Sequence, residues 1–108
     1  MKFLIFLLIL SVFVSLCSQQ PTQDVKQQAT FSCIQMCKNN SKNLDYTNGP
    51  CLSDNNTAWD VSDWVCDIAH SPRQTIDDLQ ENQCYAFRNK EAHHFVEVDN
   101  DCNLIRVV

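Results

Sequence analysis

Beyond residue 17 the 108-residue chain has no second apolar run of membrane length, no cluster of Lys or Arg, and only one glycine, Gly49. The first absence leaves nothing after that point to insert in a bilayer, since a spanning helix needs roughly 20 apolar residues. The second argues against nucleic acid and anionic lipid as partners, because both are gripped by clustered cations that displace counterions. It also removes the basic amphipathic helix on which membrane-disrupting peptides depend. Closely spaced metal-binding cysteines are scarce as well: only Cys33 and Cys37 are near neighbours, and the remaining ones stand singly. There is no internal repeat and no motif specific to one reaction, so sequence assigns no catalytic set, no metal and no cofactor.

What is present begins with an address. Phe3 to Ser15 contains only Ser11 and Ser15 as polar members and follows the single cation Lys2. A run this short behind one positive charge reads as a signal peptide over residues 1–17 rather than a membrane span. Ser15 and Cys17 put small side chains where a peptidase cutting before Ser18 requires them; Leu16, directly before Cys17, disfavours a lipid-anchored cysteine. Cleavage removes Cys17 and leaves six cysteines, Cys33, Cys37, Cys51, Cys66, Cys84 and Cys102, an even set suited to three disulfides in an oxidising extracellular compartment. Spacing alone does not choose among their pairings, although two sulfurs on one helical face, as Cys33 and Cys37 would be, point outwards together and suit different partners. The processed chain carries seven Lys and Arg against thirteen Asp and Glu, a formal charge of −6 once Lys2 is removed.

The residues predict a lead-in over 18–29, polar, rich in glutamine and broken by Pro21, followed by a disulfide-stabilised domain over 30–108. Thr30 or Ser32 would cap a helix carrying Cys33 and Cys37. Asn48-Gly49-Pro50 is a turn signal, because Asn and Gly tolerate positive φ and Pro fixes its own. Val61, Trp64, Val65 and Ile68 recur at helical spacing after Asp60, predicting a second helix that stops before Pro72. Cys84 to Phe87, the alternating His94 to Val98 and the β-rich Cys102 to Val108 read as strands, the last two joined across Asp99-Asn100-Asp101. The expected fold is small α+β: two short helices packed on a C-terminal two- or three-stranded antiparallel sheet.

Candidate sites are few. Asn39 and Asn55 head glycosylation sequons in expected surface loops. Trp59 and Trp64 fall about 140° apart on a helix, so Trp64 enters the core while Trp59 either anchors a partner or packs beneath the preceding loop. Pro72-Arg73 offers a basic side chain to a protein partner such as a protease. Asp67, His70 and Arg73 are either ordinary helix-end chemistry or part of a hydrolase. His93 and Glu97 share one strand face, where they are either solvated or, with His70 or Asp67, ligands of a catalytic zinc. Asp77, Asp78 or Glu81 with Glu97 would make a carboxylate pair, as any acidic chain offers. The balance favours a secreted binding or effector module meeting an extracellular protein partner, whether inhibitor, toxin or signalling ligand. The alternative is a small secreted hydrolase using His70 or His93 with nearby carboxylates.

Overall fold

The computed structural model describes residues 24–108; the expected signal peptide and the start of the lead-in lie outside the described residues. Helix α1, Val25–Asn40, begins five residues before the expected Thr30 cap, because the Asp24 carboxylate accepts from the Lys26 amide at 3.3 Å and closes the first turn. Ala29, Cys33, Met36 and Cys37 form its buried stripe at spacings of four, three and one. Asn39 therefore sits in the last helical turn rather than a loop, though it is exposed, as is Asn55 in a later turn.

Strands β1 (Trp64–Ile68), β2 (His94–Val98) and β3 (Leu104–Val107) form one sheet in the order β1-β2-β3. The chain is a small α+β domain with a C-terminal antiparallel pair, β2 with β3, stabilised by disulfides. β1 joins that pair in parallel, with Asp67 opposite Glu97. A parallel neighbour demands a crossover, and residues 69–93 supply it through two 3-10 turns, Thr75–Asp78 and Gln80–Asn82, and the one-turn helix α2, Tyr85–Arg88.

Two expectations are corrected here. The Val61–Ile68 segment is largely strand: its helical-looking apolar spacing arises because Trp64, Cys66 and Ile68 face α1 while Val65 is buried on the opposite face. A strand covered on both sides loses the alternation that would reveal it. Asp67, His70 and Arg73 accordingly do not ride a helix end. Cys84 to Phe87, expected as a strand, is helical from Tyr85, where the Asp54 carboxylate accepts from the Tyr85 amide at 2.7 Å. That cap comes from 31 residues away and has no local signature.

One core lies between α1 and the sheet, built from Ala29, Cys33, Met36 and Cys37 against Trp64, Cys66, Ile68, Val96 and Val98. Cys33 bonds to Cys66 and Cys37 to Cys102, so the two helix cysteines reach different partners and fasten α1 to β1 and to the loop before β3. Cys51–Cys84 ties the opposite face together beside Val65 and Ala92. Gly49 holds φ at +67°, and a Cβ there would meet Asp77 Oδ1 at 2.8 Å and the Ile68 carbonyl oxygen at 2.9 Å. The chain's single glycine thus stands where a left-handed backbone and close packing both exclude a side chain.

Candidate binding cleft

Side chains alternate across the sheet, so the face turned away from α1 presents Val65 and Asp67 from β1, Phe95 and Glu97 from β2, and Arg106 from β3. The crossover arches over this face without filling it. A cleft of about 540 Å³ remains, with Asp67, Glu97, Phe95 and Arg106 on the sheet side and Arg73, Phe87, Arg88, Lys90, Ala92 and His93 around it.

Its polar floor is organised around Glu97, which is only 3% exposed. Arg73 donates to Glu97 Oε2 at 3.1 Å and Arg106 to Oε1 at 2.5 Å, so two guanidinium groups compensate one buried carboxylate. Arg73 also donates to Asp78 at 2.9 Å. Arg73, the arginine expected to reach a protein partner, makes these ion pairs while its side chain stays 43% exposed. Arg106 further lies over the Phe95 ring at 4.9 Å, and Phe87 meets Phe95 edge-on at 5.0 Å, giving the cleft an aromatic wall with a cationic edge.

Asp67 is the unusual member. Its Oδ1 is buried without a hydrogen-bond partner among the described residues. Burial pushes its carboxyl up to about 8, the Glu97 charge adds to the rise, and Arg73 offsets only part of it. Asp67 is therefore a neutral acid through most of the range where carboxylates are ionised. The sequence groups Asp67 with Glu97 only as possible zinc ligands, and the parallel pairing of β1 with β2 places the two carboxyls opposite each other.

The charge distribution of the cleft runs against that of the chain. Four of the seven Lys and Arg residues beyond residue 17, Arg73, Arg88, Lys90 and Arg106, line it, although the whole sequence is acidic. The absence of any Lys or Arg cluster is thus true along the chain and untrue in space. Arg73 and Arg106 are committed to carboxylates of the fold, whereas Arg88 and Lys90 have no carboxylate in ion-pair contact among the described residues. Lys90 holds φ at +60°. It follows α2, where the Lys90 and Glu91 amides donate to the Phe87 and Ala86 carbonyls and close the helix end, a place where a left-handed residue is common.

The other expected site residues fall elsewhere or assume structural roles. Trp59 is half-buried against the α1 core, and its indole Nε1 donates to the Trp64 carbonyl at 2.8 Å. Trp64 is in the core and stacks on His94 at 4.6 Å. His93, with a side chain 65% exposed, meets Asp63 at 2.5 Å and holds that carboxyl below the usual range. Glu97 is buried rather than solvated, while His93 is exposed where the two line the same cleft. Neither do His93, Glu97 and Asp67 bring their ligand atoms within reach of one ion. Among the described residues only Cys51, Asp54 and Cys84 converge so closely, and both sulfurs are committed to a disulfide.

His70 Nδ1 lies 2.8 Å from Asp77 Oδ1, and Asp77 also accepts from the His70 and Gln74 amides. Burial pushes the Asp77 carboxyl up, but these hydrogen bonds outweigh it and hold the group below the usual carboxylate range. His70 and Ser71 line a smaller, polar cleft of about 190 Å³ with Asp99 and Asp101.

No family model, curated protein or solved structure matches this chain. Its functional reading consequently rests on the chemistry of these clefts.

Proposed function

We propose that this chain is a secreted, disulfide-stabilised binding module that meets an extracellular protein partner through the cleft between the sheet and its crossover. One observation carries the reading: an acidic domain gathers four cations around an aromatic-walled opening of about 540 Å³ and leaves Arg88 and Lys90 without carboxylate partners among the described residues. Disulfides on both faces of the sheet support it, because they hold the walls of the cleft in place and so limit the ordering cost of binding. The same three bridges support an oxidising destination, in keeping with the expected signal peptide. The test is site-specific photo-crosslinking of the disulfide-bonded protein in extracellular fluid of the producing organism, with the crosslinker at Phe87 or, as a control, at Lys42. One discrete adduct from Phe87 and none from Lys42 is expected. Equal adducts from both positions, or none from Phe87, would defeat the reading.

A second reading, a small hydrolase, draws on the Asp77–His70 pair, in which a buried carboxylate fixes the imidazole and Ser71 lines the same cleft. Covalent labelling of Ser71 by a fluorophosphonate, abolished in His70→Ala, is its expected signature. Failure to label Ser71 would remove it.

A further inference from the structure

We infer that the segment this cleft accepts is an acidic peptide bearing an aromatic side chain, its ring seated against Phe87 and Phe95 and its flanking carboxylates held by Arg88 and Lys90. The inference rests on the binding reading above and adds the chemistry of the occupant.

The aromatic wall favours a ring. Phe87 and Phe95 are already in an edge-to-face arrangement, with the Arg106 guanidinium over the Phe95 ring and Ala92 lining the same cleft, so a third ring extends the aromatic contact from the Phe87 side. The wall is partly open, since Phe87 is 38% exposed, so an incoming ring removes apolar surface of this protein from water as well as its own.

The charges of the cleft favour an acidic occupant. Glu97 is saturated by Arg73 and Arg106, and Asp67 holds its proton near neutrality, so neither floor carboxyl presents an uncompensated negative charge to the occupant. Arg88 and Lys90 are the lining cations that a ligand can neutralise without breaking an ion pair of the fold. A cationic segment would meet them as like charges, and a neutral one would leave them unmatched.

The acidity of the rest of the chain sharpens selection. Long-range attraction would favour basic partners generally, so an acidic segment is admitted here only by the local field of the cleft, and its affinity falls with added salt. The charged groups facing Asp67 are Glu97 on β2, Arg73 and Asp77 on the crossover and Asp54 on the loop before β1. Arg106 on β3 reaches the same floor through Glu97.

The experiment uses the disulfide-bonded mature protein and four end-capped peptides: acetyl-Glu-Phe-Glu-amide, acetyl-Gln-Phe-Gln-amide, acetyl-Glu-Ala-Glu-amide and acetyl-Lys-Phe-Lys-amide, with dodecanoate as a non-peptide amphiphile. Binding is read by isothermal titration at low salt. The Glu-Phe-Glu peptide is expected to bind roughly tenfold more tightly than either the Gln-Phe-Gln or the Glu-Ala-Glu peptide, and Lys-Phe-Lys not at all. The Arg88→Gln/Lys90→Gln variant, changed only at exposed positions, should lose that tenfold preference and no longer distinguish Glu-Phe-Glu from Gln-Phe-Gln. Equal binding of the Gln-Phe-Gln and Glu-Phe-Glu peptides would overturn the role of charge. Binding of dodecanoate with no peptide bound would overturn the peptide inference while leaving the cleft a binding site. Silence from every probe, with the Phe87 crosslink also absent, would overturn both readings.

Discussion

Replacing Asp67 with Asn should make the protein more stable at pH 8 and leave it little changed at pH 4. The folded state holds the Asp67 carboxyl at about 8, whereas an unfolded chain releases that proton near 3.9. Below about pH 4 both states are protonated and the group contributes no difference. Between about 4 and 8 the unfolded chain has lost the proton that the folded one keeps, so stability declines by roughly 1.4 kcal/mol per pH unit on this account, reaching a plateau above the folded value. The full span amounts to on the order of 5 kcal/mol, an upper figure for a group lining an open cleft. Asn matches the neutral acid in shape and does not titrate, so the advantage of the variant grows over the same window. Guanidinium melts of wild type and Asp67→Asn at pH 4, 6 and 8 measure it, because perturbed groups common to both proteins, Asp77 among them, cancel in the difference. An equal stability difference at all three pH values would refute the reasoning.

Other outcomes follow from the same structure. Gly49→Ala should cost at least about 2 kcal/mol in denaturant melts, combining the left-handed backbone with displacement of Asp77 or the Ile68 carbonyl; a change within about 0.5 kcal/mol would contradict this. Trp64→Ala should cost roughly 3–5 kcal/mol through the cavity it leaves, and Trp59→Phe about 1 kcal/mol through the lost indole bond to Trp64. Equal losses for the two variants would mean that the indole hydrogen bond matters as much as the core ring. Dithiothreitol should abolish the cooperative melt, since the bridges close separations of 33, 65 and 33 residues. The chain-entropy model assigns about 4 kcal/mol to each such closure, and a melt surviving reduction would show that the apolar core suffices.

The parts of the fold legible in the sequence are those whose signals are local. His94 to Val98 alternates because its two faces differ, and the following turn is marked by Asp99, whose carboxylate accepts from the Asp101 and Asn103 amides. Cys33 and Cys37 share a helical face, and that geometry separates their partners. β1 was illegible for the opposite reason: with both faces covered, its side chains have no polar side to alternate with. α2 depends on Asp54, far away in the chain, for its cap. The cleft was hidden in the same way. Its cations lie at positions 73, 88, 90 and 106 and come together only because a parallel β1–β2 pair forces the crossover to arch over the sheet. The one sequence clue was Asp67, a carboxylate set among Val65, Cys66 and Ile68, where burial would make it conspicuous.

The central claim is that the cleft is the contact surface, and amide chemical-shift mapping of the labelled, disulfide-bonded protein with acetyl-Glu-Phe-Glu-amide tests it most directly. Shifts are expected to concentrate on Asp67, Phe87 to His93 and Phe95. Shifts confined to the outer face of α1, around the exposed Val25 and Phe31, with the cleft residues unmoved, would contradict it.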